Sequence, residues 1–101
     1  MAYDVTFTEP AEWDKDQIVS YLLVTLGNRG AATRFLTALD TVVGNLSRTP
    51  QMYPCSTEER ALQEGYRKAG FLSYVLLYRF DGHSVEIARI FHARQDYARL
   101  L

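Results

Sequence analysis

Residues 65–92 read GYRKAGFLSYVLLYRFDGHSVEIARIFH, and this stretch decides the fold. Residues 73–80 are rich in aromatic and β-branched side chains, which is typical of a strand, and a shorter, mostly polar strand is predicted over 66–69. Asp81-Gly82 predicts a type I′ turn into a further strand over 83–92. Alternation along that strand predicts one face with Val85, Ile87, Arg89 and Phe91, and another with Glu86, Ala88, Ile90 and His92. Three successive strands predict an antiparallel meander.

Two amphipathic helices are predicted before the meander. Apolar residues recur at helical spacing over about 10–26 and again over 31–46. Thr8 is expected to cap the first helix and Asn28 the second, because short polar side chains satisfy the free N–H groups of a first turn. Gly27 is a natural stop between them. So short a connection predicts an antiparallel helical hairpin.

The chain opens with a predicted strand over 3–8, so the element order is β-α-α-β-β-β. This order predicts an α+β fold in which the helix hairpin packs on one face of a mostly antiparallel four-stranded sheet. The first strand is expected to join that sheet, because it would otherwise expose a lone apolar edge. At 101 residues, 1–101 is expected to be a single domain. The long connection over 49–64 is expected to be functional or ordered by a partner.

Composition narrows the function classes. The formal net charge is −1 and there is one cysteine, Cys55, so no internal disulfide can form. The sequence shows neither a signal peptide nor a stretch of about 20 apolar residues, so a cytoplasmic protein without a membrane segment is expected. His83, His92 and Cys55 lack metal-ligand spacing, and no glycine-rich phosphate loop is present. No metal and no cofactor are therefore expected.

Three stretches together resemble the RelE/ParE family of toxins from bacterial type II toxin–antitoxin systems, which includes plasmid stabilisation proteins. They are VTFTEPAEWDKDQIVSYL at 5–22, GNRGAATRFLTALDTVVGNLSRTPQMYP at 27–54 and GYRKAGFLSYVLLYRFDGHSVEIARIFHARQDY at 65–97. The last is the most specific, since it is similar to the family's Gly-Tyr-Arg, tyrosine-rich strand, turn, and final strand ending in His-x-Arg-x-Asp. The resemblance covers almost the whole chain.

The resemblance implies a growth-inhibiting toxin that a cognate antitoxin, encoded beside it, neutralises in a hetero-oligomer. ParE-like members poison DNA gyrase and are not nucleases. RelE-like members are ribosome-dependent endoribonucleases that cut mRNA. A degenerate member that only binds antitoxin is a third possibility.

Under the ribonuclease hypothesis, cleavage without a metal needs a base, a cation for the phosphate and an acid. His92 would be base or acid, Arg67 and Arg94 would hold phosphate, and Tyr97 would be a second proton donor or a base-stacking platform. Each also has a structural interpretation. His92 could be a half-buried strand residue, Arg67 and Arg94 could pair with acidic groups, and Tyr97 could pack the C-terminus.

Two departures favour the gyrase hypothesis slightly. The ribonuclease members usually carry an arginine in the tyrosine-rich strand where this chain has Val75, and a valine cannot stabilise phosphate charge. The chain has only two lysines, Lys15 and Lys68, and residues 58–101 carry seven basic against six acidic side chains. That balance gives no field for binding RNA.

Antitoxins of the resembled family wrap a segment around the toxin, and such a segment needs apolar grooves. The chain has seven tyrosines, of which Tyr53, Tyr66, Tyr74 and Tyr78 are candidates for the antitoxin-binding groove. The alternative is that they line an ordinary sheet face.

Overall fold

The computed structural model describes residues 2–55 and 65–94. The elements are β1 (Asp4–Phe7), α1 (Glu9–Ser20), α2 (Arg29–Arg48), β2 (Arg67–Phe71), β3 (Tyr74–Phe80) and β4 (Ser84–His92), and a π-helical turn over Tyr21–Thr25 continues α1. The predicted order β-α-α-β-β-β is confirmed. Among these helices, none is both long enough and apolar enough to cross a lipid bilayer.

The described strands form one sheet in the order β1-β4-β3-β2. β1 runs parallel to β4, whereas β3 is antiparallel to both β4 and β2. The first strand therefore joins the sheet, as expected, and the helices together with β2 and β3 make up the long connection between the parallel strands β1 and β4. The predicted α+β class, with two helices packed on a four-stranded, mostly antiparallel sheet, is confirmed.

The helices bury one face of this sheet. α2 contributes a stripe at helical spacing, and β3 and β4 contribute alternate residues; the main members are Ala32, Phe35, Leu39, Val42, Leu46, Leu76, Tyr78, Val85, Ile87 and Ile90. A second buried cluster consists of Tyr66, Val75, Leu77, Ala88 and Phe91. β3 supplies residues to both clusters, so this central strand is buried on both of its faces.

Side-chain caps begin both helices as predicted. Thr8 Oγ1 accepts the Ala11 N–H at 3.2 Å, and Asn28 Oδ1 accepts the Ala31 N–H at 3.0 Å. The first helix differs from the prediction near its end, because regular α-helix stops at Ser20. The Leu26 N–H then donates to the Tyr21 carbonyl five residues back, at 3.0 Å. This wider turn accommodates an extra residue before the chain reverses.

A β-bulge in β4 corrects the predicted faces of that strand. Leu77 pairs with Arg89 but Tyr78 pairs with Ile87, so Ala88 is an extra residue without a partner on β3. The strict alternation therefore fails after Ile87. Ile90 returns to the helix side, and the second cluster takes Ala88 and Phe91.

Both hairpin turns differ from the sequence prediction. Phe80 pairs with Val85, and the Asp81 N–H donates to the Ser84 carbonyl at 3.3 Å, so Gly82 and His83 are the central residues. Only Gly82 has positive φ, whereas type I′ needs it at both positions, so the predicted turn type is wrong. β2 also runs two residues further than predicted, to Phe71, and reaches β3 through an unpredicted turn.

Candidate functional site

His92 ends β4 and lies opposite Tyr74, the first residue of β3. Their rings meet edge to face with centroids 5.7 Å apart. The Arg94 N–H donates to His92 Nδ1 at 3.2 Å, so a neutral His92 ring carries its proton on Nε2. His92 is half-buried and Arg94 is exposed, and the contact between them at this end of the sheet uses the backbone of Arg94.

Arg67 lies elsewhere on the sheet. It pairs with Tyr78, four residues along β3 from Tyr74, which corresponds to roughly 13 Å along the strand. β2 and β4 also lie on opposite sides of β3, which adds to the separation. Arg67 Nη1 donates to the Tyr53 carbonyl at 2.7 Å. Among the described residues, the structure brings His92 and Arg94 together but leaves Arg67 apart. Tyr97 lies outside the described residues.

Val75, at the position where the ribonuclease members carry arginine, is 8% exposed. It packs in the second buried cluster, whereas Tyr74 beside it packs against the helix-side core. This side chain therefore offers no charge and points away from the core that Tyr74 faces.

Two of the four tyrosine candidates have almost no solvent-exposed surface. Tyr78 is 0% exposed and its hydroxyl donates to the Pro50 carbonyl at 2.6 Å. Burial raises the pKa of Tyr78 to about 12, an effect that the nearby Arg67 charge partly offsets. Tyr66 is 7% exposed, and the Arg79 guanidinium lies 4.8 Å from its ring centre. Neither ring is available to a partner in this conformation.

The other two candidates are half-buried. Tyr53 accepts a hydrogen bond from Asn45 Nδ2 at 3.2 Å and meets the Tyr78 ring edge to face, so it closes the core near the end of α2. Tyr74 packs against Phe35, with ring centres 4.9 Å apart. Burial, and secondarily the neighbouring Tyr21, raise the pKa of Tyr74, so its hydroxyl stays protonated at neutral pH.

Tyr74 forms one wall of a cavity of about 290 Å³, which we call the α1 groove. The groove lies between α1 and the ends of β3 and β4, and it is lined by Trp13, Asp14, Gln17, Ile18, Tyr21, Tyr74, Ile90, Phe91 and His92. Trp13 is 60% exposed and Tyr21 is 53% exposed, so the rim presents two aromatic rings to solvent. An aromatic, partly wet cavity of this kind suits an apolar side chain of a partner.

A buried ion pair joins the two walls of the α1 groove. Asp14 is 6% exposed, and its two oxygens accept from Arg89 Nε at 2.7 Å and Nη2 at 2.8 Å. Asp14 Oδ2 also accepts the Ile90 N–H at 3.0 Å. The hydrogen bonding of Arg89 to Asp14 raises the pKa of Arg89, an effect that burial partly offsets. All three donors follow the bulge residue Ala88, so Asp14 holds β4 in its shifted register.

Sequence reasoning missed this pair. In the sequence, Asp14 is one of several acidic residues in the first half of the first helix, where negative charge is favourable for the helix dipole, and Arg89 was expected to lie on an alternating strand face. A signal was present, because Asp14 lies four residues before Ile18 and eight before Leu22, on the inward stripe of the helix. A charged residue on such a stripe is rarely buried unless it is paired.

No three His, Cys, Asp or Glu side chains in residues 2–55 and 65–94 lie close enough together to hold a metal ion. The site therefore consists of an aromatic groove, a histidine–arginine pair at its end and an internal ion pair. Such an arrangement can bind a protein segment through apolar contacts.

Comparison with known proteins gives a family. The sequence matches the model described as the ParE toxin of the type II toxin-antitoxin system, parDE, over residues 5–97. The fold is similar to a chain of the chromosomal ParDE toxin–antitoxin system from P. aeruginosa, with a TM-score of 0.70, 19% identity, and coverage of 90% of this chain and 96% of that chain.

A second similar structure is the RelBE2 toxin–antitoxin complex from Mycobacterium tuberculosis. Its TM-score is 0.61 and its identity 27%, over 91% of this chain and 99% of that chain. A search of curated proteins found no match.

Proposed function

The chain belongs to the ParE toxin family of type II toxin–antitoxin systems, and from this premise we propose that it inhibits growth by binding DNA gyrase. The proposed toxin acts in the cytoplasm, as a plasmid stabilisation protein does, until a cognate antitoxin binds it. That it is a toxin of the RelE/ParE family is common to this proposal and to its alternative. The two differ in whether the chain cleaves RNA.

We propose gyrase as the target, rather than mRNA, because Arg67 and His92 are far apart. A metal-free ribonuclease needs its base, acid and phosphate-binding cation within hydrogen-bond reach of one scissile phosphate. Arg67 is instead about 13 Å along the sheet and donates to the Tyr53 carbonyl. Val75 supplies no substitute charge. A toxin that acts by binding a protein needs a surface and no such assembly.

The alternative is a ribosome-dependent mRNA endoribonuclease that uses His92, Arg94, Tyr97 and Arg67. The specific observation in its favour is the contact between the Arg94 backbone N–H and His92 Nδ1, which holds two of the four residues side by side at the end of β4. A degenerate member, which binds antitoxin without harming the cell, would act on neither gyrase nor mRNA.

Induced expression in a bacterial host without the antitoxin tests the proposal. We expect loss of colony survival, DNA breaks and intact mRNA. Purified gyrase mixed with plasmid and this chain should accumulate linear DNA. In-frame, codon-biased mRNA cuts at mapped 5′ ends would instead support the endoribonuclease. Normal survival with protein present in the cells would support the degenerate member.

Paired substitutions test the catalytic residues directly. If the chain acts by binding gyrase through a surface other than the sheet end, His92→Ala with Arg94→Ala should leave toxicity within about twofold of wild type, since no chemical step depends on them. The matched control is His83→Ala with Arg48→Ala, two exposed residues remote from that end of the sheet. Loss of killing by the first pair alone would contradict the proposal, because it is the result that a nuclease predicts.

The partner that neutralises the toxin is proposed to be an antitoxin that contacts Tyr74 in the α1 groove. The half-buried Tyr74 and the exposed Trp13 and Tyr21 rings support this position. Tyr53, Tyr66 and Tyr78, the other three candidates, do not line this groove. The complex is expected to be a hetero-oligomer, and purification of the chain with the product of the adjacent gene tests that.

A further inference from the structure

A second hollow lies on the other side of Tyr74 from the α1 groove. Its volume is about 270 Å³, and it is lined by Leu22, Ala31, Arg34, Phe35, Leu72, Ser73 and Tyr74. We call it the Leu72 hollow. Tyr74 lines both cavities, and Tyr21 and Leu22 are consecutive residues that line one each. The two cavities are therefore neighbouring parts of one surface.

The backbone of Leu72 is in a conformation that is unfavourable for a leucine. Its φ is +53°, in the left-handed region that a leucine rarely adopts, and it occupies the two-residue turn between Phe71 and Tyr74. Its side chain is 63% exposed, so packing within the chain recovers little of that conformational cost. Backbone strain that packing within the chain does not offset is found at binding sites, where a partner contacts the strained residue.

Exposed apolar side chains continue from this hollow onto the π-helical turn. Tyr21, Val24 and Leu26 are 53%, 79% and 54% exposed. The sequence has no charged residue between Asp16 and Arg29. An apolar area of this kind, bordered by charges at both ends, is typical of a protein-binding surface.

The rim at the start of α2 is positively charged. Arg29 and Arg34 are exposed, and neither has an ion pair within residues 2–55 and 65–94. The Arg34 guanidinium lies back over the first turn, 3.4 Å from where a Cβ on Gly30 would stand. That first turn has no acidic residue, and cations there oppose the helix dipole. These arginines therefore do not stabilise the helix, and their charges are available to a carboxylate of a partner.

We propose that the Leu72 hollow binds a segment of the antitoxin that presents an aliphatic side chain beside a carboxylate. The aliphatic group packs between Leu72, Phe35 and Tyr74, and the carboxylate pairs with Arg34. Charge complementarity selects this occupant, because a carboxylate pairs with the exposed Arg34, whereas a second copy packed hollow against hollow would bring two positively charged rims together. The inference rests on the proposed antitoxin, and it adds the chemistry that the antitoxin must carry.

The test measures binding of the adjacent gene's product to purified wild-type and variant chains by titration calorimetry. Leu72→Gly should weaken binding about tenfold, since it removes an anchor from a hollow while relieving the positive φ, so the variant remains folded. Arg34→Glu should weaken binding by at least as much at low salt and less at high salt. Arg48→Glu, an exposed arginine near the other end of α2, is the matched control and should bind as wild type does.

Three results would overturn the inference, and they separate it from the proposed function. Wild-type binding that Leu72→Gly and Arg34→Glu leave unchanged would place the antitoxin elsewhere and leave the toxin–antitoxin function standing. A concentration-dependent dimer that Leu72→Gly abolishes would make a second copy the occupant. Absence of binding by the wild-type chain would remove both the inference and the proposed partner.

Discussion

Asp14 combines a buried charge with three hydrogen bonds to one short stretch of β4. Its partners are the Arg89 side chain and the Ile90 N–H. The attraction between buried charges does little more than offset their lost hydration. Removing one partner is different, because the other charge then stays half-buried without this ion pair. Asp14 therefore matters more for holding the register of β4 than for any net stabilisation from its ion pair with Arg89.

We expect Asp14→Ala to reduce the free energy of unfolding by about 3 kcal/mol, at the lower end of the range for a broken buried pair because Arg89 keeps some contact with solvent. Urea denaturation measures the change. Asp16→Ala, an exposed acidic residue on the same helix, is the matched control and should stay within about 0.5 kcal/mol of wild type. Equal effects of the two substitutions would show that the ion pair does not hold the strand.

Because of Tyr78, we expect the free energy of unfolding to change with pH in the alkaline range. Burial raises its pKa to about 12 from the ordinary value of 10.0. The folded state then holds the phenol proton more tightly than the unfolded state does. The stabilisation is fully present below pH 10 and is lost as the pH rises through 12, at about 1.4 kcal/mol per pH unit.

Tyr78→Phe should therefore lose less stability than wild type between pH 10 and pH 12. At pH 8 the variant should be less stable by about 1–2 kcal/mol, since the Pro50 carbonyl loses its 2.6 Å hydrogen bond. Urea midpoints measured at intervals from pH 8 to pH 11.5 give both quantities. Parallel stability curves for the two proteins would contradict the predicted effect of Tyr78.

At the scale of the elements, α1 and β4 depend on each other through the bulge. Thr8, which caps α1, donates from its hydroxyl to the carbonyl of the bulge residue Ala88 at 2.8 Å, and its N–H donates to the Ile87 carbonyl. Asp14, in the second turn of the helix, binds the residues on the other side of the bulge. The start of one helix thus satisfies the backbone groups that the extra strand residue leaves unpaired.

This dependence explains what could be predicted from the sequence. The helices and the strand order follow from local periodicity, from the caps Thr8 and Asn28, and from the stop at Gly27, all of which are properties of neighbouring residues. The register of β4 beyond Ile87 depends on Asp14, 75 residues away from Arg89 in the chain. Alternation alone therefore placed Ile90 and Phe91 on the wrong faces.

The same limit applies to the candidate site. The proximity of His92 and Arg94 was predictable, because they are two residues apart at a strand end. The separation of Arg67 was not, because it follows from the register of β2 on β3. The full burial of Tyr78 was also hidden, since Pro50 approaches its hydroxyl from a loop that periodicity does not describe.

The turn between β2 and β3 offers a direct measure of conformational strain. Leu72→Gly should raise the free energy of unfolding by about 0.5–1 kcal/mol, because relief of the left-handed φ exceeds the larger entropy that glycine loses on folding. Ser73→Gly, the other turn residue, is the matched control and should lower stability slightly, since its φ is not positive. A destabilised Leu72→Gly would mean that the leucine side chain contributes more to folding than its 63% exposure indicates.

At the scale of the whole molecule, we expect the exposed apolar side chains between Trp13 and Leu26 to make the isolated chain prone to self-association. The net charge of −1 gives almost no electrostatic repulsion between copies. An antitoxin that covers this surface removes the apolar contacts and stabilises the fold through binding. Complex formation and solubility should therefore change together.

We expect the chain freed from its antitoxin by denaturant and then refolded to form larger species at micromolar concentration, whereas the complex stays monodisperse. Light scattering after gel filtration measures both. Val24→Lys places a charge on the most exposed of the large apolar side chains described, and should shift the isolated chain toward monomer. Thr41→Lys adds the same charge to an exposed position on α2 and should change little. If both lysines improve solubility equally, net charge and not the apolar surface controls association; a wild-type monomer at high concentration would argue against the surface altogether.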